Sequence, residues 1–188
     1  MNRIVGRVLL ICLACLLAFL MTGLLASCRQ EPAPLLDYDY SGWTKLNGEP
    51  ITEPIPGHSS GVRTIYVNET GREVTVSNES GRKSWDYPEG TVIIKEVALP
   101  AETAAAGEAS TLLGMIKDTG HPRAQGNWVW VMRNARTGEE SIFDTEFCIT
   151  CHADANERRT ADAMEPVGVP NPDRDFRDYV FYPYAPEE

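Results

Sequence analysis

Hydrophobic positions change rhythm along this chain. From Val8 to Leu25 almost every residue is apolar, and Arg3 and Arg7 are the only charges before that run. A basic stretch followed by an apolar core is the layout of an export signal. A plain transmembrane anchor is the other reading, because the run is long enough to span a bilayer. Residues 29–38, RQEPAPLLDY, then read as a proline-containing tether. From Trp43 onward the pattern turns β-like. VRTIYVN (62–68) and REVTVSN (72–78) are β-branched runs bounded by the turn clusters SSG, NETG and NESG, and they predict two strands. YPEG precedes TVIIKEVAL (91–99), a continuous apolar run that fits a buried strand. TLLGMIK (111–117) and NWVWVMRN (127–134) predict two more, with a turn at RTGE. Ahead of TLLGMIK, AETAAAGEAS (101–110) is of low complexity and reads as a long loop or frayed helix. The best helix spans Asp144 to Arg159, with Asp144 placed to cap it and Glu146 in its first turn. The tail, VPNPDRDFRDYVFYPYAPEE, reads as an extended flank packed on the sheet.

The end of the first apolar run decides between export and a spanning anchor. Leu25, Ala26, Ser27 and Cys28 look like the lipobox of bacterial lipoproteins, which are cleaved before the cysteine and acylated on it. Two or more acyl chains give stable anchoring. The expected organisation is therefore a signal peptide over 1–27, a tether over 28–40 and one domain over 41–188. Arg29, and not an aspartate, follows the cysteine, which points to the outer membrane rather than the inner one. The expected location is the periplasm or cell envelope. Cleavage removes Arg3 and Arg7 and takes the net charge from −10 to −12. Such an acidic surface argues against nucleic acid and suits a cationic or neutral partner, or a small neutral substrate.

Cysteine usage then narrows the chemistry. Of five cysteines, Cys12 and Cys15 leave with the signal and Cys28 carries lipid, so Cys148 and Cys151 alone remain in the exported domain. Two cysteines are too few for a disulfide framework. They stand in FCITCH, with His152 directly after the second. Cys-x-x-Cys-His is the attachment signature of haem c. One helical turn separates two sulfurs that each add to a vinyl group, and the next residue supplies the axial imidazole. A thioredoxin-like pair would need a βαβ unit around the motif, and the chain ends without one. A structural zinc site needs four ligands, with only His58 and His121 to complete it. A vicinal disulfide leaves His152 unexplained. We therefore expect one haem c per chain, held by Cys148 and Cys151 with His152 on the iron, in a β-rich domain with a late haem-binding helix.

The ordered segments VRTIYVN, YPEGTVIIKE, GNWVWVM, FCITCH and DYVF resemble the cytochrome P-460 family, which includes the cytochromes c′-β. They cover most of residues 43–184. The resemblance implies an α+β, mainly β fold: a twisted antiparallel sheet with a few helices, the haem-binding helix near the C-terminus. Family members are usually dimeric, so a homodimer is one expectation. Their iron keeps an open distal face, and they oxidise hydroxylamine, bind nitric oxide or transfer electrons. Lys95 shares a strand face with Ile93, Val97 and Leu99, a costly place for an amine unless it is paired or modified. It matches the lysine that hydroxylamine-oxidising members cross-link to the porphyrin; otherwise it reaches water or a carboxylate. Arg63 matches an arginine near the haem, or else is an edge-strand cation facing solvent. Asp154 is the nearest counterpart of the carboxylate that follows the haem histidine in the family's enzymes, although an exposed helix residue is the reading favoured for it. His58 and His121 sit in turns and read as surface histidines. Met164 is the best candidate for a sixth ligand. Core packing is the default for Trp128, Trp130 and Met132. The leading expectation is a lipid-anchored cytochrome that takes hydroxylamine if Lys95 is cross-linked and nitric oxide if it is not, with a partner cytochrome for its electrons. The rival is an electron-transfer cytochrome with Met164 as sixth ligand.

Overall fold

The computed structural model describes residues 33–53, 55, 58, 61–79, 81–98, 109–156, 171 and 174–186. Contacts divide the chain into Met1–Ala33 and Pro34–Glu188. The signal segment, Cys28 and Met164 lie outside the described residues, and so do residues 101–108 and 157–170. The described residues form eight strands: β1 (Thr44–Lys45), β2 (Val62–Val67), β3 (Thr75–Glu79), β4 (Arg82–Asp86), β5 (Val92–Ala98), β6 (Ala109–Lys117), β7 (Trp128–Asn134) and β8 (Glu140–Phe143). Six of them build one sheet in the order β1-β2-β5-β6-β7-β8, and every neighbouring pair is antiparallel. β3 and β4 form a separate hairpin. Among the described residues no helix is long and apolar enough to cross a membrane.

Side-chain alternation gives the sheet two different faces. The register sets Ile65 opposite Lys95, Lys95 opposite Leu113, and Leu113 opposite Met132. The adjacent row runs Ile93, Met115, Trp130, Phe143. This face packs against the C-terminal helix and tail through Cys148, Ile149, Val180 and Tyr182. The other face carries Ile94, Leu112, Val129 and Val131, and the segment bearing Leu36, Tyr40 and Trp43 covers it. Leu36 reaches so far onto the sheet that a Cβ on Gly114 would collide with its Cδ2. Part of the expected tether is thus a packed strap over the sheet.

Local chemistry moves several expected boundaries. The NETG cluster is not a bare turn: Glu69–Arg72 form helix α1. Asn68 caps it by accepting the Gly71 N–H and also accepts the Val92 N–H. The following strand consequently starts at Thr75. Ala109 and Ser110 open β6, because the ladder with β5 continues past a bulge at Val97/Ala98 to pair Ala98 with Ala109. The late helix, α2, spans Phe147–His152, and a 3-10 turn follows over Ala153–Ala155. Its N-cap is Glu146, not Asp144, whose carboxylate is drawn to the Arg123 guanidinium at 3.1 Å. At the far end Asn156 turns its carboxamide oxygen to the N–H groups of Arg177 and Tyr179. The tail packs as expected: Phe176 bridges to Ser84, and the Tyr184 carbonyl accepts the Trp85 indole N–H.

Candidate functional site

One turn of α2 brings Cys148 and Cys151 to the same side of the helix, where both face a cavity of about 190 Å³. Its far wall is the apolar row of the sheet, from Ile65 and Ile93 to Met115 and Trp130. The helix sits close because the chain opposite has no side chain at Gly126. That residue has φ +60°, and a Cβ there would lie 2.7 Å from Ile149 and 2.8 Å from the Tyr179 ring. Both cysteines are free thiols. Burial, and then the neighbouring Cys151, push the Cys148 thiol above its ordinary pKa.

His152 ends α2 and lines the same cavity. Its Nδ1 lies 2.8 Å from the Tyr179 carbonyl oxygen. A carbonyl only accepts, so Nδ1 carries the proton and Nε2 keeps a lone pair. Trp130 and Phe181 hold the ring, with centroids 4.7 and 5.1 Å away. Burial lowers its pKa to about 4, so the imidazole is neutral at physiological pH and fit to bind a metal.

Lys95 reaches the cavity from β5, and its Nζ lies 2.6 Å from Nδ1 of His58. Burial, reinforced by the Arg63 charge, lowers the amine to about 7. His58 is not the surface histidine expected of a turn. It lines the cavity 6.4 Å from the His152 ring, and burial pushes its pKa down to about 3. The preceding Gly57 suggests a turn, but it does not tell which way the imidazole points. Arg63 is not a solvent-facing cation either. β2 is an inner strand, Arg63 is 1% exposed, and its Nη1 donates to the Glu53 carbonyl at 2.8 Å. It stands beside the cavity without lining it. Asp154 lies half-buried in the 3-10 turn, also outside the lining. His121 stays in its turn, where Nδ1 accepts the Arg123 N–H. Trp130 and Met132 line the cavity, whereas Trp128 is fully buried against Tyr87.

Two thiols a helical turn apart, an adjacent neutral imidazole with one nitrogen fixed, and an apolar wall suit a haem c group. Cys148 and Cys151 would hold it through thioethers, and His152 would ligate its iron. Lys95 and His58 would supply the polar groups on the cavity wall. No curated protein matches the chain. The Cytochrome P460 family matches residues 38–182, well over half of the chain. The chain therefore belongs to the cytochrome P460 family and is a haem c cytochrome.

Proposed function

We propose that this protein is a lipid-anchored, mono-haem c cytochrome of the cell envelope that binds or oxidises small nitrogen species at an open iron site. The observation that carries this reading is the Lys95 amine, lowered to about 7, in the same apolar cavity as Cys148, Cys151 and His152. Bound haem c supplies an iron that coordinates a small ligand and exchanges electrons. The chain does the rest. His152 donates from Nε2 while Tyr179 keeps the ring oriented. The sheet gives the cavity an apolar wall. Lys95, its amine lowered to about 7, is a group able to accept a proton from a bound ligand, and the neutral His58 ring 2.6 Å away contacts that amine. Hydroxylamine is the substrate if Lys95 is bonded to the porphyrin, and nitric oxide is the ligand if it is not. Cys28 carries the lipid, the outer membrane is the anchoring site, and a partner cytochrome of complementary charge takes the electrons.

Absorption spectra of the oxidised and reduced protein test this reading. Ferrous protein should be high-spin and bind carbon monoxide or nitric oxide without waiting for a side chain to leave. A strongly red-shifted reduced Soret band that becomes ordinary in Lys95→Leu assigns the hydroxylamine branch. A low-spin iron that is inert to carbon monoxide and opens in Met164→Ala would overturn the proposal in favour of electron transfer.

A further inference from the structure

Two adjacent residues of the tail, Asp178 (φ 50°) and Tyr179 (φ 68°), hold left-handed backbone conformations. Side-chain-bearing residues seldom do so, a bulky tyrosine least of all. Such a turn persists only where its surroundings over-determine it. Here they do. Asp178 is 4% exposed, and its Oδ2 accepts a 2.6 Å hydrogen bond from Nζ of Lys117, which is 7% exposed. Its Oδ1 accepts the indole N–H of Trp128 at 3.3 Å. Lys117 and Trp128 are themselves cross-strand partners of β6 and β7, so the anchor is built into the sheet. On the other side, Asn156 Oδ1 accepts the Tyr179 N–H at 3.1 Å. What this turn presents is the Tyr179 carbonyl, 2.8 Å from Nδ1 of His152.

We propose that Lys117, Asp178 and Trp128 form a positioning device that, through the Asp178–Tyr179 turn, sets the hydrogen bond behind His152 and so tunes the iron. The proposal rests on the reading of His152 as the iron ligand. A buried ion pair adds little net stability compared with apolar residues of the same size. What it supplies here is direction, because a charged pair tolerates less displacement than apolar packing. Hydrogen bonding at Nδ1 fixes the imidazole orientation and raises the basicity of Nε2. A more basic ligand strengthens the iron–nitrogen bond and favours ferric over ferrous iron. Loosening the anchor weakens both effects.

The test uses the haem-loaded protein and three changes that disturb the anchor differently. Asp178→Gly removes the carboxylate while keeping a residue at ease with φ 50°. Lys117→Met removes the partner charge, and Trp128→Phe removes the indole N–H together with part of a fully buried ring. Resonance Raman of the ferrous protein reads the iron–histidine stretch, and redox titration reads the midpoint potential. The expected result is a lower stretching frequency and a higher potential in every variant, least in Trp128→Phe. Variants that lose thermal stability while both readouts keep their wild-type values would show a merely structural role and overturn the proposal. Trp128→Phe still reads the effect where Asp178→Gly does not fold. A wild-type spectrum that His152→Gly leaves unchanged overturns the ligand assignment itself, and that failure is distinct from an anchor that does not tune.

Discussion

Taking an amine out of water disfavours its charged form, and Lys95 shows the consequence in a pKa of about 7. The sign of the resulting pH dependence follows. Above pH 7 the folded chain has released the Lys95 proton, whereas the unfolded chain keeps it until about pH 10.4. The unfolded state binds more protons across that window, so stability rises with pH by up to about 1.4 kcal/mol per unit. Below pH 7 both states are protonated and this residue contributes no slope. Chemical unfolding between pH 7 and 10 should therefore show a rise in the wild type that is flattened in Lys95→Met. Equal slopes in the two proteins, with the Lys95 peptide recovered free in a tryptic map, would sink this account of the amine. A flat wild-type profile with that peptide attached to haem assigns the cross-link instead. The cysteines carry a second prediction. Cys148→Ala/Cys151→Ala should abolish haem staining on denaturing gels, because these are the two free thiols facing the cavity; staining that persists in the double variant would disprove thioether attachment.

At the level of elements, close approach of backbone matters more than any one side chain. α2 lies over the Gly126 turn, where φ is +60° and a Cβ would sit 2.7 Å from Ile149. Gly126→Val combines backbone strain with overpacking and should cost about 1–3 kcal/mol, with weaker haem retention, both read by thermal unfolding of the haem-loaded protein; an unchanged midpoint and haem content would show that the helix can shift freely. The elements differ in how legible they were. β2, β5, β6 and β7 could be read from β-branched runs between turn clusters, because their side chains on both faces meet apolar neighbours. β4 and β8, RKSWD and ESIF, carry too few apolar residues to stand out, and pairing with β3 and β7 defines them. The haem motif, Lys95 and the late helix were visible from residue types alone. The helix starts later than its residue types suggest, and Asp144 pairs instead with Arg123, 21 residues earlier. His58 and Asp178 were invisible for the same reason. Their partners, Lys95 and Lys117, lie 37 and 61 positions away, and no local pattern encodes such a pairing.

For the whole molecule, net charge and the proposed lipid anchor bear on where the cavity would work. The sequence carries a net charge of −10, and charge of that sign is repelled by anionic surfaces. Electrostatic adsorption to an anionic membrane is therefore disfavoured, and the proposed attachment would be covalent or hydrophobic. Between Cys28 and the residues packed on the sheet at Leu36 lie only a few positions. At 3.3–3.6 Å per extended residue, about 25 Å of chain is available there. An acylated Cys28 would thus keep the domain near the bilayer while leaving it outside. Each buried methylene of an acyl chain adds about 0.8 kcal/mol, so one chain binds reversibly and two or more hold firmly. Labelled palmitate should enter the wild-type protein and partition with membranes after a high-salt wash. Cys28→Ala should lose the label. If cleavage depends on that cysteine, the variant also keeps its N-terminal apolar run and migrates as the longer, uncleaved chain. Unchanged labelling and unchanged size in Cys28→Ala would mean that residues 8–25 anchor the protein as an uncleaved segment, and the mature chain would then not begin at Cys28.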